Sequence, residues 1–184
     1  MLAPAWPDEP DQRCALIVAA GMNDSRPLRA MLAAGIDVNH PAQGLTPLLA
    51  ATRGSYYGRP ETVLALVANG ADPTARCPEG RTPLHHAALS VDPAVAATLL
   101  DAGAALDAID GEGHTPLSLA CSVGNAAVVR LCLERHAALA PAGAMPALAA
   151  AAQARDGDPR ILGWLLQAKA PLAATDGEGW TALH

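Results

Sequence analysis

Gly80-Arg81-Thr82-Pro83-Leu84-His85-His86-Ala87-Ala88 decides the fold, because the chain says it more than once. Gly44-Leu45-Thr46-Pro47-Leu48-Leu49-Ala50-Ala51 precedes it, and Gly113-His114-Thr115-Pro116-Leu117-Ser118-Leu119-Ala120 follows. Gly179-Trp180-Thr181-Ala182-Leu183-His184 is a last, shorter copy, and the stretch Leu148 to Ala152 keeps the Leu-Ala pattern without the threonine. The anchoring leucines Leu16, Leu48, Leu84, Leu117, Leu148 and Leu183 are separated by steps of 32, 36, 33, 31 and 35. A period of this size marks a stack of small units in which each buries its apolar face only against its neighbours.

Within each unit the chemistry is readable. Thr is the N-cap of a first helix, its hydroxyl placed to accept from an early helical N–H. Pro follows at the first helical position, where a missing N–H costs nothing. Leu and then Ala-Ala, one turn later, make a close-packed inner face. A second helix opens with Pro60, Pro93 or Pro159. Three second helices end in glycine-containing runs: Leu28 to Asp37, Val63 to Asp72 and Val95 to Ala104. There the glycine offers the left-handed residue that stops a helix. In the fourth and fifth copies His136 and Lys169 stand in that place, so those ends are expected to be strained or differently capped. Stretches such as Ala108-Ile109-Asp110-Gly111-Glu112-Gly113 then cross to the next unit as hairpin-like turns.

Composition agrees. The chain has 184 residues, no Phe, 2 Tyr and 3 Trp, yet is 51% apolar, and the excess is Ala and Leu, the strongest helix formers. Sixteen Gly and sixteen Pro supply the punctuation of many short helices. The formal net charge is −6 and Lys169 is the sole lysine, so the electrostatic footprint of a nucleic-acid or anionic-membrane binder is missing. No apolar run approaches a membrane span, and the start has neither a basic nor an apolar signal region. A soluble, cytoplasmic domain is expected, and the Ala-rich composition points to a bacterial source.

The Thr-Pro-Leu-His motif and its period resemble ankyrin repeats over residues 13–184. The expected fold is all-α, an ankyrin-type α-solenoid of helix-turn-helix repeats joined by hairpin-like turns. Residues 1–12 form an N-terminal segment, and units fall at about 13–40, 41–76, 77–109, 110–142 and 143–175, with a partial unit at 176–184. The first is degenerate, as an N-terminal cap would be. The break at His184 leaves Trp180 and Leu183 poorly covered, which predicts a fragment of a longer polypeptide. The long step after Leu48 places extra residues at Arg53-Gly54-Ser55-Tyr56-Tyr57-Gly58. The step after Leu148 does the same near Gln153 to Gly157. The short step of 31 predicts a stunted turn between His136 and Gly143.

Catalytic and metal chemistry find no constellation, so no enzyme, no metal site and no cofactor are expected. The resemblance gives His85, and His184 in the same slot, an imidazole that ties adjacent units through backbone. His86 is next to it, not at the i, i+4 spacing of a helical zinc pair. His114 is expected to point outward from its turn, toward a partner or water. Cys14, Cys77, Cys121 and Cys132 lack a partnering histidine, and Cys77, in a turn, is expected to be the most exposed. Cys121 and Cys132 lie on antiparallel helices, where a disulfide under oxidation is conceivable.

What remains is a surface. Stacks of this kind resemble a cupped hand, with turn tips and first helices lining the concave side. Carried onto this chain, that selects Gln43, Leu45, Arg53, Glu79, Arg81, Leu89, Ser90, Asp110, Glu112, His114, Ser122 and Val123. Tyr56 and Tyr57 fall at the margin, as binding aromatics or as cover for the helix-pair edge. The alternation of charge suits a protein partner rather than a polyanion. Three functions fit. The chain is an interaction module, a substrate-recruiting or regulatory region of a larger enzyme or effector, or a structural spacer.

Overall fold

The computed structural model describes residues 9–22, 24–42, 44–53, 60–154, 157–177 and 179–183, with side chains from Cys14 onward. Its helices are α1 (Glu9–Gly21), α2 (Ser25–Ala33), α3 (Pro47–Arg53), α4 (Pro60–Ala68), α5 (Pro83–Ala87), α6 (Pro93–Asp101), α7 (Pro116–Ser122), α8 (Ala126–Glu134), α9 (Ala147–Gln153) and α10 (Pro159–Gln167). They pair as α1–α2 through α9–α10, and the pairs stack in chain order. The first helices form one layer and the second helices another. This is the all-α solenoid that the period demands. α1 begins at Glu9, ahead of the boundary drawn at residue 13, with Pro10 in its first turn where no helical N–H is lost.

Each first helix turns its leucine and small residues inward. Leu48 and Ala51, Leu84 and Ala87, Leu117 and Ala120, and Leu148 and Ala150 are all essentially inaccessible to water. Alanine at these places lets neighbouring helices approach closely, and the leucines then fill what space is left. From the second layer Leu28, Val63, Leu66, Val95, Leu99, Val128 and Leu165 close the same continuous core. The second helices have their own caps. Asp24, Asp92 and Asp158 accept from the amides of Arg26, Ala94 and Arg160, and Asn125 accepts from Val128.

The irregular steps appear as displaced helix starts. Ten residues separate Pro83 from Pro93, and Pro116 from Ala126, whereas thirteen separate Pro47 from Pro60 and twelve separate Ala147 from Pro159. The first enlarged loop, with Tyr56 and Tyr57, lies outside the described residues, as does Gln43. The turn before α9 is short, and the full turns show what it lacks. These pair Cys77 N–H with Arg81 O, Asp110 N–H with His114 O, and Asp176 N–H with Trp180 O. In the short turn the residue in the equivalent place is Pro141, which has no N–H to give. It keeps the bond from Ala144 N–H to Pro141 O. His136 and Lys169 occupy left-handed conformations, with φ of 61° and 63°. Non-glycine residues there pay a steric cost that glycine avoids.

Candidate functional site

The junction between the third and fourth units is the best-connected part of the turn face. His85, on α5, is fully buried. Its Nδ1 accepts from Thr82 N–H at 3.1 Å, and its Nε2 meets the His114 carbonyl oxygen at 3.1 Å. A carbonyl only accepts, so Nε2 must carry the proton, and the ring is the neutral Nε2–H tautomer. Burial pushes its pKa down, which suits that tautomer. The imidazole therefore holds its own N-cap and clasps the next unit.

Asp110 organises the turn that His85 grips. Its carboxylate accepts from Glu112 N–H at 3.0 Å, His114 N–H at 2.8 Å and the Arg81 guanidinium at 3.1 Å. Burial alone would raise the Asp110 pKa. The His114 and Glu112 amides and Arg81 outweigh that and hold it below the usual carboxylate range. Arg81 reaches across with a second bond, 2.9 Å to Glu112. The two turns also touch through backbone, Gly111 N–H donating to Glu79 O at 2.9 Å. Only glycines allow this approach. A Cβ on Gly111 would sit 2.8 Å from the Glu79 oxygen, and one on Gly80, where φ is +75°, would sit 2.9 Å from the Gly111 nitrogen.

Two of the surface candidates are thereby corrected. Asp110 and Ser90 are 6% and 1% exposed, so Asp110 belongs to the scaffold and Ser90, though it borders two clefts, offers almost no surface of its own. Asp110 is consumed by the turn, and Ser90 accepts the Asn125 amide at its carbonyl, 2.7 Å away. His114 does not point outward. Its ring is half-buried, and Nδ1 is shielded from water without a hydrogen-bond partner. The turn draws it in because its amide and carbonyl are both held, by Asp110 and by His85. Cys77 is also buried, at 5% exposure, and burial together with the Glu79 carboxylate pushes its thiol pKa up. Cys14 is the exposed cysteine. Cys121 and Cys132 are free and buried, both pushed up to about 12, so neither is a ready thiolate.

Of the candidates, Arg53, Glu79, Arg81, Leu89, Ser90 and Val123 line a trough of two adjoining clefts beside α5. At one end a cleft of about 410 Å³ brings together Thr52, Arg53, Glu79, Arg81, His86, Leu89 and Ser90. A second cleft, about 510 Å³, continues from Leu89 and Ser90 past Val91 to Val123, Gly124, Asn125 and Ala126. Val91 and Val123, which line this cleft together, are 66% and 54% exposed, high for aliphatic side chains. Glu112 stands exposed on the turn. Leu45 and Ser122 are half-buried and line neither cleft. Ser122 donates its hydroxyl to the Leu119 carbonyl.

His86 is the residue that sequence reasoning weighed only as a metal ligand. It is one of the residues lining the first cleft, and its Nε2 is shielded from water and unpartnered. Burial, then the Arg53 and Arg81 charges, push its pKa down to about 4, so the ring is neutral near pH 7. The signal was in the sequence. Once His85 turns into the junction, the next helical residue lies about 100° around the axis, on the trough side. Among the described residues no group of three or more His, Cys, Asp or Glu is placed to hold a metal, and no helix is long and apolar enough to cross a membrane.

Comparison with known proteins gives this arrangement its context. A family model for Ankyrin repeats (3 copies) matches residues 55–141. The chain is 33% identical over 184 aligned residues to Ankyrin repeat protein nuc-2 of Neurospora crassa, covering 97% of this chain and 17% of that protein. It is 33% identical over 132 residues to Neurogenic locus notch homolog protein 4 of Homo sapiens, covering 66% of the chain and 6% of the relative. A 67-residue stretch, 36% of the chain, is 42% identical to Inactive serine/threonine-protein kinase TEX14 of Bos taurus, of which it covers 4%. The chain thus spans between 4% and 17% of the lengths of these relatives.

Proposed function

Because this chain carries a domain of the ankyrin repeat family, whose members generally serve protein–protein interaction, we propose that it binds a polypeptide partner along the trough of α5 and its flanking turns. One observation carries the reading. Two clefts that share Leu89 and Ser90, the first polar at Arg53 and His86 and the second apolar at Val91 and Val123, run from the turn at Glu79 and Arg81 to the loops that join first to second helices. Exposed aliphatic side chains beside fixed polar groups are what a protein interface uses for anchoring and for selectivity. The scaffold beneath is held by His85, Asp110 and Asn125, so the surface is preorganised and little ordering cost falls on binding.

The chain's small share of its relatives' length favours a second reading. Here the same groove recruits or positions a target for a larger protein with further parts, one of them enzymatic. Both readings place the contact in one trough, and both put the domain in the cytoplasm, in keeping with its negative charge and free cysteines.

The test is capture from a cell extract with the 184-residue chain as bait. Reversing Arg81 and Glu112 together is a poor probe, because they pair with each other and the reversal recreates a pair. Arg53→Glu with Val123→Asp changes two exposed groove residues without touching the core. At least one protein captured by the wild type is expected to be lost from this variant and retained by Arg130→Glu on the second-helix layer. A captured set unchanged by the groove variant and depleted by Arg130→Glu would put the contact on the opposite face.

A further inference from the structure

The clasp between the third and fourth units works with only one protonation state of its histidine. We propose that it is an acid-sensitive latch: uptake of a second ring proton by His85 releases the fourth-unit turn, residues 110–114, from α5. Because that turn flanks the trough, the latch regulates the binding surface proposed above, and in that respect it rests on that reading.

As a neutral ring His85 serves both turns at once. Its Nδ1 accepts from Thr82 N–H at 3.1 Å and lies 2.8 Å from the Thr82 hydroxyl, while Nε2–H donates to the His114 carbonyl at 3.1 Å. A proton on Nδ1 turns that acceptor into a donor. The hydroxyl can rotate to accept it. The Thr82 amide cannot, and a buried N–H is left facing another N–H. The charge itself is opposed first by burial, since His85 is fully inaccessible to water. The His114 carbonyl and Asp110 favour the proton, and Arg76 and Arg81 oppose it. Asp110 is already taken by the Glu112 and His114 amides and by Arg81. Of the helices packed on α5, α3 carries Arg53, which acts on the neighbouring ring of His86. Helix α6 carries its cap Asp92 and Asp101, and α7 carries Cys121, a thiol kept neutral by its burial. The closed junction therefore prefers the neutral ring, and an opened one, with the ring in water, takes the proton readily.

The latch belongs to one junction. In the place of His85 the other first helices carry Ile17, Leu49, Ser118 and Ala149, none of which titrates. Ser118 spends its hydroxyl on Thr115, within its own unit. The other ties across the third junction hold the start and tip of the turn: Arg76 to the Ile109 carbonyl, Gly111 N–H to Glu79 O, and Arg81 to Asp110 and Glu112. At its base, His114, the bond across the junction is the one from His85. Releasing it frees the turn and leaves the buried Leu84 and Leu117 in place.

The test follows amide hydrogen exchange residue by residue, by NMR, on the free 184-residue chain between pH 7 and 5, with each rate corrected for that of an unstructured amide. No partner is present, so the outcome is separate from that of the trough. Thr82 N–H, bonded to the ring, and Gly111 N–H, bonded across the junction, should lose protection by up to about tenfold for each pH unit below 6.5, the effect of one proton. Asp176 N–H makes the same turn bond, to Trp180 O, in a turn whose preceding unit has Ala149 in the slot of His85, and should keep its protection. His85→Asn retains an acceptor for the Thr82 amide and cannot titrate. In it Gly111 should start less protected at pH 7 and show no fall toward pH 5. Equal slopes at Gly111 and Asp176, or a slope that persists in His85→Asn, would overturn the latch. So would ring-nitrogen shifts of the wild type showing His85 protonated while Gly111 stays protected, a measurement that stands even where the variant does not fold.

Discussion

The junction of the third and fourth units and the fifth unit are built from one pattern, with very different hydrogen-bond inventories. At the junction Thr82 caps α5, His85 clasps the His114 carbonyl, Asn125 donates to the Ala88 and Ser90 carbonyls, and Arg81 grips Asp110. In the fifth unit Pro146 stands at the N-cap with no side-chain hydrogen bond, and Ala149 fills the slot of His85. The turn before it is short, and left-handed His136 and Lys169 flank the unit. Leu166 and Leu172 within it, and Trp180 and Leu183 beyond it, are more than half exposed. Helix formation and leucine burial survive in both. Apolar packing therefore builds a unit, while the polar residues of the motif weld one unit to the next and fix the turns that line the trough.

If that division is right, His85→Ala should have the largest effect. It strips partners from a buried amide and a part-buried carbonyl and leaves a cavity, costing about 3 kcal/mol of stability in a denaturant titration. Ala149→Gly in the equivalent slot should cost about 1 kcal/mol, the helix-propensity difference alone. Equal losses at the two sites would erase the distinction.

Acid should attack the centre in a similar range. The folded chain holds His86 neutral down to about pH 4 against an ordinary 6.5, and His85 is shifted the same way. Below pH 6.5 the unfolded chain binds these protons and the folded chain does not, so stability present at pH 7 is lost as the pH falls toward 4. For His86 the loss is about 3 kcal/mol at most. His86→Gln should flatten the stability profile between pH 6.5 and 4, and an unaltered slope would show that His86 is not its source.

Smaller gains are expected at the weak end. His136→Gly and Lys169→Gly should each stabilise by about 0.5–1 kcal/mol, the relief of a left-handed residue less the extra freedom glycine gives the unfolded chain. A loss of stability at either position would mean that its side chain makes a contact that outweighs the strain. The smallest effect belongs to Glu112→Gln, within about 0.5 kcal/mol, since Glu112 is an exposed partner of Arg81. A loss comparable to that of His85→Ala would place Glu112 in the weld.

Much of this was legible in the chain. The period, the Thr-Pro starts and the Gly ends placed the helices, because those residues act through local backbone geometry. His136 and Lys169 were legible as misfits for the same reason. Less legible was how far side chains reach between units. Asp110 reads as an acid of the partner-binding face until the fold brings Arg81, twenty-nine residues away, beside it. His114 reads as outward until its backbone is seen held at both ends. His86 was weighed only as a metal ligand, the wrong filter for a lone imidazole, and only the stack shows that it shares a cleft with Arg53 of the preceding unit.

The central claim is that the trough of α5 and its flanking turns is where a partner sits. Amide hydrogen exchange, compared for the free chain and the chain bound to its captured partner, tests it most directly. The account predicts slowed exchange at the turns around residues 79–81 and 110–114 and at the end of α5 through Leu89 to Val91, with α6, α8 and α10 unchanged outside their junctions. Protection confined to those second helices, with the turns exchanging as before, would contradict it.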